Sequence, residues 1–447
     1  MSMVPQRQLG LFDSICIVVG IIVGAGIYET SPTIASCMPG WTGVLGVWLL
    51  GGLLALTGAL CYAELATTYP HEGGDYVYLR RAYGNWSGYL FGWSQLAIIR
   101  PGDIALMAFV FGRYAASVHA PFANSALFYA AAAVVVLTVI NVVGVRESKW
   151  TQNTLTVVKA LGLLAIAIAA VVAPPSPAAS GPAGPTGLSV DGLKLSLILV
   201  LFTFGGWNEM AYVAAEVRHP KRNIVRAIVL STLGVAVLYL LVNIAFLAAL
   251  GQGRMAGSKA VAADAVAAAL PDGAGRLVSV LICVSALGAA NGLVFTGARI
   301  SYAMGTGHSL FRALGRWHPR LGTPVWALLL QGALSLAIVM LARSFMDTIL
   351  YTAPAVWLFF LATGASVFVL RLKEPQTPRP YRVTGGIVTN VVFCACCVFM
   401  FYSCVTYAWA AKPMGLAVSS GLLAAGAALY WSTGARRGRP SDGQAGR

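Results

Sequence analysis

Charge is what this chain has least of. Only 15 of its 447 residues are acidic and 10% are charged in all, too few to coat a soluble globule of that length. The five histidines, His71, His119, His219, His308 and His318, contain no pair at metal-ligand spacing such as H-x-x-x-H, and no G-x-S-x-G nucleophile turn occurs. Metalloenzyme and serine-hydrolase chemistry therefore lack their carriers; no metal, no cofactor and no catalytic residue is expected. Of eight cysteines only Cys37 approaches an outer face, which argues against a disulfide framework, and Cys394, Cys396 and Cys397 read as small packing residues.

What the chain has is apolar length. Hydrophobic residues make up 58% of it and the mean hydropathy is +0.76. A crossing takes about 20 residues, and twelve runs meet that need, near 13–37, 42–68, 86–117, 124–144, 150–173, 192–216, 224–250, 275–304, 324–341, 346–370, 386–408 and 413–433. The expected fold class is an all-α polytopic membrane protein with about twelve transmembrane helices. The first run is preceded only by Arg7 and shows no small-residue cleavage site, so it reads as retained rather than as a signal peptide.

A net charge of +15 raises the possibility of a nucleic-acid partner, which the distribution of the basic residues argues against. With the N-terminus inside, inward loops and tails hold 20 Lys and Arg, among them Arg80, Arg81, Arg222 and Arg371, against 7 outside, such as Arg113 and Lys259. That asymmetry places both termini in the cytoplasm. The partner it implies is a lipid bilayer, with no nucleic acid.

The domain reading is a cytoplasmic N-terminus (1–12), five spans (13–173), an outer Pro/Gly-rich hinge (174–191), five more spans (192–370), two further spans (371–433) and a basic, disordered tail (434–447). The inward stretch from Pro70 to Asn85 is expected to form a short helix lying in the membrane surface.

Two glycine breaks interrupt these runs, Gly24-Ala25-Gly26 in the first and Gly205-Gly206 in the sixth, at matching positions of two five-span halves. Unwound backbone inside a bilayer is tolerated only where protein or a ligand cavity satisfies it, and paired breaks point to the binding site of a secondary transporter. At the first, the amides of Gly24, Ala25, Gly26 and Ile27 could hold a carboxylate, while the carbonyls of Ile21 and Ile22 could accept from an ammonium. Glycine packing at a helix crossing is the competing explanation. At the second, free carbonyls near Phe202 and Thr203 could share the ammonium, and flanking aromatics, Phe202, Phe204 and Trp207, could close over a ligand.

Lys159 lies about nine residues into the fifth run, roughly 13 Å deep. An ammonium there is costly unless paired, although snorkelling is an alternative; the functional reading is a charge standing in for a coupling cation, bridging carbonyls near Val19 and Gly20 to the eighth span. Glu64, Glu209, Glu216 and Arg299 are expected in structural or gating pairs, and Arg100 with Asp103 in a mutual ion pair. Glu29, one residue past Tyr28, could face water or select a cationic side chain.

At these residues the chain resembles the amino acid–polyamine–organocation (APC) superfamily, and within it the L-type amino acid transporter branch. The resemblance spans nearly the whole chain. It is carried by Gly20-Ile21-Ile22-Val23-Gly24-Ala25-Gly26-Ile27-Tyr28, Tyr62-Ala63-Glu64-Leu65 with Gly73-Gly74-Asp75-Tyr76, Phe204-Gly205-Gly206-Trp207-Asn208, Ala290-Asn291-Gly292 and His318-Pro319-Arg320. It implies a LeuT-like five-plus-five inverted repeat with broken helices 1 and 6 and two extra helices. It also implies binding of the substrate's carboxylate and amine at the breaks, Phe202 as aromatic gate, and Lys159 in the place sodium takes in other members. Departures are Ala25 for a common serine, Tyr28 for phenylalanine, Glu29 for an apolar residue, and Ala289-Ala290 where a hydroxyl is usual, which leaves the second partner of Lys159 open, with Ser285 a candidate. The outer loop after the third span has no cysteine for a disulfide-linked heavy chain.

The resulting expectation is a sodium-independent antiporter or proton-linked carrier of neutral L-amino acids in a cell membrane, with short tails that fit a bacterium. Alternatives are a cationic amino acid or polyamine carrier using Glu29, and an amino acid sensor that moves no solute.

Overall fold

In the computed structural model, residues 6–172, 185, 187–267, 273–341, 345–411 and 413–433 are described. Most of the outer hinge and all of the basic tail read from the sequence lie outside the described residues. Helices follow one another with short links: α1 (Leu11–Ile22), α2 (Gly26–Cys37), α3 (Gly40–Thr68), α4 (Asp75–Tyr83), α5 (Asn85–Ser94), α6 (Arg100–Val118), α7 (Ser125–Val143), α8 (Val145–Val172), α9 (Val190–Thr203), α10 (Glu209–Tyr212), α11 (Pro220–Gly257), α12 (Val261–Val266), α13 (Ala274–Gly307), α14 (Val325–Leu341), α15 (Phe345–Lys373), α16 (Gly386–Ala411) and α17 (Pro413–Ser432). A π-helical turn, Gln95–Ile99, joins α5 to α6.

Every expected apolar run carries helix. Nine described helical stretches are long and apolar enough to cross a membrane, and α1 with α2, bent by 45° at the first break, makes ten. The other two expected spans do not qualify on length: α14 has 17 residues, and the sixth run divides into α9, a turn and the four-residue α10. Both breaks thus fall where glycine interrupts the apolar pattern. Large apolar side chains such as Leu161, Val237 and Val391 stand exposed on the outside of the bundle, where lipid replaces water.

Within the stretch from Pro70 to Asn85 the expected short helix forms as α4, and it packs one face against the protein. Asp75, Tyr78 and Leu79 are buried, and Gly73 and Gly74 bring the turn against Ala303 and Tyr212 so closely that a Cβ would meet them at 2.5 and 2.8 Å. Its aromatic content serves packing inside the protein.

The inner end is held by charge pairs. Glu64 binds Arg371 at 2.6 Å and lies 3.7 Å from Arg379, and Glu216 accepts from Arg299 at 2.7 Å. Leu9 donates to the Glu216 carbonyl and accepts from the Arg218 amide, tying the N-terminal segment to the end of the sixth run. Outside the spans, burial tends to raise the Glu374 carboxyl, but bonds from Arg81 and Tyr69 outweigh it and hold the group below the usual carboxylate range.

Arg299 is fully buried and stacks over Phe295, 3.7 Å from the ring centre. Removing one partner of such a pair strands the other charge, at a cost of about 3–5 kcal/mol. Arg299→Ala is expected to lower the melting temperature of the detergent-solubilised protein markedly, with Arg299→Ala/Glu216→Leu recovering part of the loss.

Candidate functional site

The first break begins where α1 runs out of residues able to continue it. Val23, at φ −76° and ψ 73°, forms an inverse γ-turn in which the Gly24 amide donates to the Ile22 carbonyl at 2.8 Å. Of the four amides expected to face a carboxylate, Gly24 is therefore already used. Those of Ala25, Gly26 and Ile27 have no acceptor among the described residues and open the N-terminus of α2, where backbone donors and the helix dipole favour an anion. The Ile22 carbonyl is also taken, by the Tyr239 hydroxyl of α11 at 2.8 Å, whereas the Ile21 carbonyl has no donor among the described residues. Ile21 is thus the acceptor left for an ammonium.

The second break lies directly against the first. Gly206, at φ +121°, occupies a conformation L side chains rarely adopt, and a Cβ there would lie 2.7 Å from the Ile21 side chain and 3.1 Å from the Ile22 nitrogen. A Cβ on Gly26 would likewise meet Thr203 at 3.0 Å. The Phe202 carbonyl, expected to be free, accepts from the Gly205 amide at 2.9 Å, because the chain closes a turn before it leaves the helix. Thr203 bonds Leu199 through its hydroxyl and lies 3.1 Å from the Thr30 hydroxyl, fastening α9 to α2.

A cavity of about 150 Å³ opens at this contact, lined by Ile21, Ile22, Gly24, Gly26, Phe202, Thr203, Gly205 and Asn208 among others. Ala25, Ile27, Tyr28 and Phe204 stand behind it as buried packing. The two aromatics expected to close over a ligand with Phe202 are elsewhere. Phe204 packs on Tyr239 with ring centres 5.2 Å apart, and Trp207 on Tyr62 and Phe360 at 5.0 and 5.3 Å. Trp207 is buried and does not line the cavity, whereas Phe202 does.

Behind the first break, Lys159 of α8 is buried, and its ammonium donates to the Gly20 carbonyl and, at 3.3 Å, to the Ser285 carbonyl of α13. The Ser285 hydroxyl reaches the Val23 and Gly24 carbonyls at 2.9 and 3.1 Å. Lys159 and Ser285 together supply donors to a stretch of α1 that has lost helical ones.

The third span departs most from sequence reasoning. Gln95 and Arg100 are five apart, a spacing that an α-helix turns to different sides, but the π turn between them puts both on the cavity wall, and Arg100 donates to Gln95 at 3.0 Å. Pro101, which cannot donate and crowds the carbonyl four residues earlier, favours such an interruption. Arg100 does not pair with Asp103. Its guanidinium binds Glu209 at 2.8 Å across the cavity floor, while Thr296 donates to the same carboxylate at 2.5 Å. Asp103 and Glu209 both line the cavity. Glu29 does not: its carboxylate is bound by Arg113 and by the Tyr114 hydroxyl, at 3.1 Å, away from the cavity lining.

A family model described as amino acid permease matches residues 9–432. The chain belongs to this amino acid permease family, in the L-type branch of the APC superfamily. The permease is 30% identical to a b(0,+)-type amino acid transporter 1 of Oryctolagus cuniculus over 388 residues, 85% of this chain and 79% of the relative. It is also 30% identical to the protein of the same name from Homo sapiens, over 88% and 82% of the two chains. A large neutral amino acids transporter small subunit 2 of Mus musculus is 29% identical over 390 residues, covering 85% and 73%. The permease is thus an amino acid transporter and a multi-pass membrane protein, not an enzyme.

The contact between the breaks leaves no room for a methyl group. Gly206→Ala forces both a strained backbone, at about 1–3 kcal/mol, and displacement of Ile21; the expected outcome is amino acid binding weakened more than about tenfold in a calorimetric titration of the folded variant.

Proposed function

We propose that the permease is a sodium-independent amino acid carrier working by alternating access, as an exchanger or with proton linkage, and that its principal substrates are neutral L-amino acids. The observation that carries this is the lysine bay. A protein cation, Lys159, lies between the Gly20 and Ser285 carbonyls behind the substrate break, and a fixed ammonium there makes a metal cation redundant.

The substrate head group lies at the two breaks, its carboxylate on the Ala25, Gly26 and Ile27 amides and its ammonium near the Ile21 carbonyl, with Phe202 as the mobile cover. The apolar part of the wall beyond, with Ile99, Leu106, Met107, Val356 and Trp357, suits an uncharged side chain. Residues 13–173 and 192–370 act as the two inverted repeats, with 371–433 as the added pair of helices. The excess of basic residues on inward loops supports a cell-membrane orientation with both termini cytoplasmic. The outer loop between α6 and α7 has no cysteine, which supports function without a disulfide-linked heavy chain.

The test is uptake of labelled amino acid by proteoliposomes, empty or preloaded, without sodium and with or without an inward proton gradient. Uptake only into preloaded vesicles identifies exchange, and gradient-enhanced uptake into empty ones identifies symport. A strict sodium requirement contradicts the proposal, and binding without uptake points to a sensor. Lys159→Ala strips the buried carbonyls of their cation and is expected to lower uptake more than about tenfold.

A further inference from the structure

The cavity wall carries one cation and two carboxylates, and only Glu209 is ion-paired at contact distance; Arg100 acts on Asp103 as a neighbouring charge without a hydrogen bond. Arg100 is fully committed, to Gln95, Thr296 and Glu209, with its guanidinium 5.0 Å from the centre of the Tyr212 ring. Glu209 takes Arg100 and the Thr296 hydroxyl, so its charge is balanced within the protein. Asp103 lies one turn further along α6, lines the same cavity, and accepts no hydrogen bond from any described residue. The zwitterionic head of an amino acid is itself neutral, so it does not offset the excess of two carboxylates over one guanidinium on this wall. A charge inside a membrane protein is costly unless paired, and one facing a substrate cavity marks function.

Its distance from the head-group site is informative. The Met107 sulfur lies 3.5 Å from where a Cβ on Gly24 would stand, so Met107 sits beside the first break. Asp103 is four residues earlier on the same helix face, roughly 6 Å along the axis. A cation at the end of a flexible four-carbon stem is suited to that interval. We infer that Asp103 reads the far end of the substrate's side chain and admits amino acids ending in a cation alongside neutral ones. This rests on the cavity being the amino acid site; Glu29, held by Arg113, takes no part.

The experiment compares labelled lysine and labelled leucine as substrates of the full-length protein in proteoliposomes. Wild type is expected to take up both, each competing with the other. Asp103→Asn, which keeps shape and removes charge, is expected to lower the lysine-to-leucine uptake ratio at least about tenfold, and Asp103→Glu to restore part of it. Exclusion of lysine by wild type, or an Asp103→Asn variant that leaves the ratio unchanged or depresses both substrates equally, overturns the inference while amino acid transport stands. No uptake of any amino acid overturns both readings together. Thermal unfolding supplies a readout that needs no variant: both lysine and leucine should raise the Tm of wild type, and protection by leucine alone contradicts the role given to Asp103.

Discussion

The contact between the two interrupted helices organises this molecule. Each interruption exposes backbone that a bilayer interior does not solvate, and each is tolerated because the other break, together with specific donors, covers it. Gly206 presses on Ile21 and Ile22, and Gly26 on Thr203, at separations that admit no side chain. Tyr239 reaches in from α11 to the Ile22 carbonyl and also lies 3.5 Å from the Thr203 carbonyl, touching both breaks through one hydroxyl. At the first break, what has no partner among the described residues is a short list: three amides at the start of α2 and the Ile21 carbonyl. In the proposed site their complement is the carboxylate and ammonium of an amino acid. Satisfying the fold and binding the substrate are in this sense the same problem.

The surroundings make the contact durable and also movable. Lys159 and Ser285 hold the outer side of α1 near its end, and behind them Gln152, Asn291, Asn141 and Ser148 form a buried chain of hydrogen bonds between α7, α8 and α13. That chain is fixed scaffold. The start of the same helix is fastened by Leu9 against Glu216 and Arg218 through backbone hydrogen bonds, and by Asp13, which accepts from Asn153 at 2.7 Å and lies 3.4 Å from Lys149. Helix halves that meet at a break can pivot there without disturbing the scaffold.

The breaks were legible because glycine pairs stand out in apolar runs, and Lys159 because an ammonium in such a run needs a reason. The all-helical, many-span class was legible from apolar length alone, whereas of the twelve expected spans nine described stretches, or ten with the bent pair, are long and apolar enough to cross a membrane. The occupancy of individual backbone groups was not: the donor to Ile22 is Tyr239, 217 residues away, and nothing near Ile22 announces it. The packing of Trp207 on Tyr62 and Phe360 was not legible, because an aromatic beside a break has the same local signature whether it faces the cavity or the core. The third span was misread for a geometric reason. Arg100 and Asp103, three apart, look like an ion pair on a regular helix, but the preceding π turn sets Arg100 toward Glu209 and Gln95. Pro101 was the available clue.

The most direct measurement is a structure of the protein with a bound amino acid. The substrate's carboxylate should lie within hydrogen-bond distance of the Ala25, Gly26 and Ile27 amides, and its ammonium beside the Ile21 carbonyl. A bound amino acid that touches neither break, or one whose head group is reversed between them, would contradict the site derived from the two interrupted helices.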